Sequence, residues 1–384
     1  MASVPVRAVL AQLATLFLRL GVTAFGGPAA HIAMMRDEVV ERRKWLSDEE
    51  FLDLLAATHL IPGPNSTEMA IHLGLKRGRF LGLLVAGTCF IVPACVIVGT
   101  IAWGYERVGN TPEVAWLMYG IGPVIIAIIL QAVWKLGRSA VTGAFHAVLG
   151  ISVVAFSLAG VNELLLLTAG GLASLAPRLV AGGAFTAVFV GLSGSLATVH
   201  GAAIAAIDVV PVTLTRLTLF FLKVGSILFG SGYVLLAFLR ADLTERWEWL
   251  TDQQMIDAIT VGQVTPGPVF TTATFIGYLL GGWTGAVLAT IGIFAPGFIF
   301  VALTQPLIPR LRASTIASGV LDGIIVASLG LMVAVTYQLG LSALVDVPTV
   351  ALTIAATVIL VVWQPNSTWL IIGGATVGWI LQAR

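Results

Sequence analysis

Charge is what this sequence has least of. Only 10% of its 384 residues are Asp, Glu, Lys or Arg, while 58% are hydrophobic. A soluble domain carries about a quarter charged residues, so soluble enzymes and soluble binding modules are excluded. The formal net charge is +1, and no basic tract of the kind that grips nucleic acid is present; no nucleic-acid partner is expected. The two cysteines, Cys89 and Cys95, share one apolar run. Their spacing fits no metal or redox motif, and they read as small core residues. There is no GxxxxGK[ST] phosphate-binding motif, so ATP is not the direct driver of any transport. No cluster of metal-ligating carboxylates is evident, and neither a metal nor another cofactor is expected. What is present is a series of long apolar runs without strict alternation. These favour membrane-spanning helices over a β-barrel. The expected class is an all-α integral membrane protein.

One stretch occurs twice. Ile61-Pro62-Gly63-Pro64-Asn65-Ser66-Thr67 is answered by Thr265-Pro266-Gly267-Pro268-Val269-Phe270-Thr271, 204 positions later. The offset holds far upstream. Phe25-Gly26, Arg36, Trp45-Leu46 and Asp53 are answered by Phe229-Gly230, Arg240, Trp249-Leu250 and Asp257. After the PGP it becomes 203, with Gly74, Gly78, Gly82 and Pro93 answered by Gly277, Gly281, Gly285 and Pro296. Two apolar repeats broken by Gly and Pro at matching places are the mark of a transporter built from internal repeats. The domains are 11–178 for the first repeat, 179–210 for an apolar linker and 211–384 for the second.

In chain order, residues 1–10 read as a short leader. A cleaved signal peptide is not expected, because Arg19 would sit inside its apolar region. Residues 11–34 can span a bilayer but break at Gly26, Gly27 and Pro28. Ser47 with Glu50 forms a capping box that starts a helix at Asp48. That helix meets PGP, where each proline opens the preceding residue. Asn65, Ser66 or Thr67 then caps a new helix. Further spans are expected at about 81–104, 113–134, 140–160, 163–177, 212–238, 252–280, 284–304, 315–338, 348–363 and 367–382. The loops holding Arg36, Arg42, Arg43 and Lys44, and Lys76, Arg77 and Arg79, read as cytoplasmic. Their counterparts in repeat two lack that excess of positive charge and read as external. Both PGP elements are then re-entrant, and the repeats are inverted. Trp45 and Trp249 read as interfacial anchors.

Helix starts after PGP turn free N–H groups and a positive dipole end toward a central cavity, an arrangement that suits an anion. Asn65, Ser66, Thr67, Thr271 and Thr272 add polar donors. Arg19 and Lys223 occupy equivalent places inside apolar spans, where a charge faces a partner or a wet path. Two such cations meeting across a pseudo-two-fold axis would fit a divalent oxyanion. The competing reading has them snorkelling to the interface or pairing with Glu68. Glu68 sits one turn past the first PGP, where repeat two has Thr272, and can exchange a proton. His59, His31 and His72 are nearby in sequence and can titrate; repeat two has Gln263, Leu235 and Phe275 there. Proton coupling is therefore assigned to repeat one, to Glu68 and His59. Asp53 and Asp257 read as partners of Arg42 and Arg246 or of a helix terminus.

Residues 17–74 and 221–278 together resemble the chromate ion transporter family in its two-domain form. The resemblance rests on the FGG, RR-W-L and PGP signatures and covers essentially the whole chain. It implies a multi-pass bacterial inner-membrane exporter of chromate, driven by protons, with sulfate as structural mimic. By motif position it marks Phe25, Gly26, Gly27, Pro62, Gly63 and Pro64, with Phe229, Gly230, Gly232, Pro266, Gly267 and Pro268. Ser231 and Val234 depart from the family's FGGGYA, and Ser231 joins the candidate substrate site. The expected partners are chromate or a sulfate-like oxyanion, protons and the lipid bilayer, with a homodimer as a candidate assembly. Two alternatives stand beside this reading. One is a sulfate or other oxyanion transporter of the same fold. The other is a membrane-embedded lipid pyrophosphate phosphatase using Glu68, His59 and arginines.

Overall fold

The computed structural model describes residues 5–25, 27–58, 61–108, 111–175, 211–229, 234–304, 314–363, 365 and 367–383. The linker 179–210 lies outside them, as do Gly26, His59, Gly230, Ser231 and Gly232. Every regular element among the described residues is helical. In the first repeat these are α1 (Val6–Thr23), α2 (Gly27–Arg36), a π-helical turn (Asp37–Arg42), α3 (Asp48–Thr58), α4 (Asn65–Val108), α5 (Pro112–Ala140), α6 (Ala144–Leu158) and α7 (Glu163–Ala173). The second has α8 (Leu214–Ile227), α9 (Leu235–Leu239), a π-helical turn (Arg240–Arg246) and α10 (Asp252–Val264). After a 3₁₀ turn (Val269–Thr271) come α11 (Thr272–Thr304), α12 (Thr315–Ala343), α13 (Val347–Val362) and α14 (Ser367–Gln382).

The repetition in sequence is a repetition in backbone. The capping box at Ser47 forms as expected, with Ser47 N–H donating to Glu50 and Glu50 N–H to Ser47 Oγ at 3.0 and 3.1 Å. Thr251 and Gln254 repeat it at the start of α10. Lys44 and Glu248 both take positive φ, 51° and 55°. α4 and α11 each fold back on themselves, at Gly78-Arg79 and at Gly281-Gly282, where helical geometry is lost. The two arms of each hairpin lie so close that only glycine fits. A Cβ on Gly74 would stand 2.3 Å from the Gly82 carbonyl oxygen, and one on Gly277 would stand 2.5 Å from that of Gly285. The PGP turn returns the chain to the start of α3, since Lys76 Nζ meets Glu50 Oε1 at 3.2 Å. Trp45, expected at an interface, lies between the guanidinium groups of Arg43 and Arg77.

A repeated ion-pair clamp ties each π-helical turn to the helix that follows. Arg36 pairs with Asp48 and Glu41, and Arg240 with Asp252 and Glu245. The copies differ in burial, with Arg36 42% exposed and Arg240 only 12%. Removing a partner from a buried pair strands a charge, whereas a surface pair contributes little. Arg240→Ala is therefore expected to lower the thermal midpoint in detergent, through loss of a mostly buried side chain that holds two carboxylates. Arg36→Ala, at an exposed pair, should lower it less. Equal shifts for the two variants would contradict this ranking.

The outer helices interleave the repeats. α5 packs on α13 and α14, while α12 packs on α6 and α7, and α5 and α12 pack on each other. Glycines set the closest approaches. A Cβ on Gly120 would meet the Gly374 carbonyl oxygen at 2.0 Å, and one on Gly323 would meet that of Gly170 at 2.2 Å. Five described helices are long and apolar enough to cross a membrane. Large apolar side chains such as Ile151, Val347 and Trp369 point outward, 70–81% exposed. A water-facing surface would not concentrate such residues. The protein is an all-helical, multi-pass membrane protein.

Candidate functional site

Each break in a first helix leaves a carbonyl without its helical partner, and the other repeat supplies the donor. α1 ends at Thr23, and Ala24 is extended. α8 ends at Ile227, and Leu228 is extended. Gly267 N–H donates to Ala24 O at 2.9 Å, and Gly63 N–H donates to Leu228 O at 2.7 Å. These two bonds exchange under the 204-residue offset. Each PGP glycine thus closes the helix break of the opposite repeat, a solution for broken backbone in a membrane that keeps its polar groups paired. Both glycines need positive φ, 140° at Gly63 and 91° at Gly267. Pro64 O accepts the first helical bonds of α4 from Thr67 and Glu68 N–H.

The two crossings differ in what fills the space beside the glycine. A Cβ on Gly267 would lie 2.5 Å from the Ala94 methyl. A Cβ on Gly63 would lie 2.2 Å from Glu68 Oε1. The position equivalent to Ala94 in repeat two is Gly297, where an added Cβ would meet Glu68 Cγ at an ordinary contact distance of 3.9 Å. Glu68 is fully buried, and neither oxygen has a hydrogen-bond partner among the described residues. His72, one turn on, is 1% exposed with both ring nitrogens unpartnered, and the buried Thr67 hydroxyl is unpartnered too. Leaving such groups unmade costs roughly 1–3 kcal/mol each, a cost retained where function requires it.

Ser66 and His31 join this centre to the other crossing. His31 Nε2 lies 3.0 Å from Ala24 O, which can only accept, so Nε2 carries the proton. Its Nδ1 then accepts from Ser66 Oγ at 3.4 Å. In repeat two the equivalent donors are spent locally. Thr271 donates to Pro268 O and Thr272 to Val269 O, each at 2.8 Å. At the two PGP crossings the unpartnered side chains are thus those of repeat one, Thr67, Glu68 and His72. Sequence reasoning singled out Glu68 for position and His72 only as titratable. The signal joining them is their four-residue spacing, one helical turn. The roles of Ala24, Leu228 and the Ala94/Gly297 difference went unread, because a lone carbonyl or methyl has no sequence motif.

Arg19 and Lys223 are each held within their own repeat. Arg19 pairs with Glu38, which also holds Arg42 and Arg43. Lys223 Nζ is 2.5 Å from Asp242, the equivalent carboxylate, which also meets Arg246 at 3.6 Å. The carboxylate partner is therefore not Glu68, and the contacts of the two cations give no support to one shared anion. Burial alone would raise the Glu38 carboxyl, but Arg19 and Arg43 outweigh it and hold it below its ordinary value. Arg42 and Arg246 are thus bound to Glu38 and Asp242. Asp257 accepts instead from Tyr105 Oη at 2.6 Å and Gln253 Nε2 at 2.8 Å, in the wall of a cavity of ≈ 680 Å³. No group of three metal-ligating side chains occurs among the described residues.

The chromate transporter family matches this chain twice, over residues 11–175 and 215–379. A chromate transport protein of Cupriavidus metallidurans is 31% identical over 377 residues, 95% of this chain and 91% of the relative. One of Pseudomonas aeruginosa is 32% identical over 391 residues, 96% and 92% of the two chains. An uncharacterised transporter of Methanocaldococcus jannaschii is 26% identical over 384 residues, 93% and 90%. No solved structure matches the chain. Matched twice along its length, and by two such relatives over most of each chain, this protein belongs to the chromate transporter family.

Proposed function

We propose that this protein is a secondary transporter that exports chromate across the bacterial inner membrane, coupled to protons. The observation that carries the reading is the set of buried, unpartnered groups on the first two turns of α4, beside the crossed PGP turns. Thr67 O–H and a His72 N–H are unspent donors for an oxyanion, and the helix start adds its dipole. Glu68 is an unspent acceptor for a proton. The names of the two bacterial relatives support chromate as cargo.

The architecture supports alternating access. Contact between Glu50 and Lys76 brings both ends of the first PGP element to one place, as a re-entrant hairpin requires. The reciprocal Gly63–Leu228 and Gly267–Ala24 bonds fit repeats of inverted orientation, 11–178 and 211–384, that rock about their crossing. Arg19 and Lys223 serve as paired anchors of the π-helical turns, while the anion meets repeat one's donors. A lipid phosphatase would need an arginine at Glu68, and Glu68 has no such partner among the described residues.

The test is uptake of radiolabelled chromate into everted vesicles, with and without an uncoupler and with sulfate as competitor. Uptake that collapses with uncoupler is expected. Energised vesicles containing the protein but taking up no chromate would refute the assignment.

A further inference from the structure

Glu68 reaches its place by folding back. It extends from the first turn of α4 toward Gly63, so that its Oε1 occupies the volume of the absent Gly63 side chain. In repeat two the corresponding space is filled by the fixed methyl of Ala94. Repeat one therefore fills the space beside its PGP turn with a group that can leave. That group is a carboxylate, held by no hydrogen bond and no ion pair among the described residues, and fully buried. When ionised it brings two oxygens and a negative charge to a helix start, which is the chemistry an oxyanion would bring to the same place.

We propose that the Glu68 carboxylate is a tethered stand-in for the transported oxyanion, occupying the anion's place at the first PGP turn and yielding it on protonation. This rests on the transport reading above and names how its site is regulated. Two anions sharing one buried space repel strongly, so ionised Glu68 and bound oxyanion exclude each other. When the oxyanion takes the place, one carboxylate oxygen binds a proton and the neutral side chain swings aside. When the anion leaves, that O–H breaks, the proton departs, and the carboxylate returns. Anion binding is then linked to uptake of one proton, so dianion and proton cross together with a net negative charge, and the membrane potential that an uncoupler collapses drives export.

The groups facing Glu68 allow this assignment. His72 follows on the same helix, and His31 on α2 is engaged with Ala24 and Ser66. From α11 comes Gly297, and the Gly63 turn is bonded to Leu228 of α8; neither carries charge. Among the described residues no Lys or Arg pairs with Glu68.

The experiment is calorimetric titration of the purified full chain with chromate, and with sulfate, whose charge is constant over the range, at pH 6 and pH 8. Wild-type affinity is expected to rise as pH falls, by up to about tenfold per pH unit for one linked proton. Glu68→Ala should bind more tightly than wild type at pH 8 and lose the pH dependence. The isosteric Glu68→Gln should lose it as well and guards against a folding defect. Wild-type binding combined with an unchanged pH slope in both variants, or with binding lost in both, would overturn the stand-in role alone. A wild type that binds neither oxyanion at either pH would overturn the transport reading, and this one with it.

Discussion

Replacing His72 with phenylalanine is expected to abolish chromate uptake while raising thermal stability. Repeat two carries Phe275 at the equivalent place, fully buried, so the fold already accommodates a ring of that kind there. His72 has two buried nitrogens without partners. An apolar ring of similar size removes that penalty, a gain of roughly 1–3 kcal/mol. In a chain of this size each kcal/mol moves the midpoint by about 1 °C. Transport should fall by at least about tenfold, the loss of 1.4 kcal/mol of anion contact. Everted-vesicle uptake and melting in detergent check the two halves separately. Retained uptake with lowered stability would mean that His72 is an ordinary packed core residue. Opposite signs for stability and activity are the behaviour of a site kept strained for function.

Adding a single methyl at either PGP glycine is expected to destabilise the chain strongly. Gly63→Ala and Gly267→Ala both force a side chain into a positive-φ position, at φ 140° and 91°. At Gly63 the methyl would also displace Glu68, and at Gly267 it would collide with Ala94. Either movement lengthens a hydrogen bond that joins the repeats. The strain alone costs about 1–3 kcal/mol, and overpacking adds about 1–3 kcal/mol more. Gly27→Ala is the control, since Gly27 has φ 79° but nothing within 4 Å of an added Cβ. It should show only the strain. Fluorescence-detected size exclusion and detergent melting should rank Gly27→Ala well above the other two. A Gly267→Ala chain as stable as Gly27→Ala would show that the crossing is not tightly packed.

Much of this molecule was written locally. Low charge and long apolar runs decided the membrane class, because few other solvents suit such a surface. The doubled PGP, the Ser47 box and the glycine pairs around 74–82 and 277–285 located the breaks, because proline, glycine and capping residues act on their own backbone. Partnership was not legible in the same way. Arg19 and Lys223 looked like ligands by depth alone, but Glu38 and Asp242 reach them across a helix break and neutralise them. That contact depends on how α2 and α9 return against α1 and α8. Likewise, the Gly63–Leu228 and Gly267–Ala24 bonds join residues over a hundred positions apart, and no local pattern encodes them. The difference between Ala94 and Gly297 is one methyl in sequence. Only the packing of α4 against the second PGP turn gives that methyl meaning, as the group that fills the space beside Gly267 where Glu68 fills the one beside Gly63.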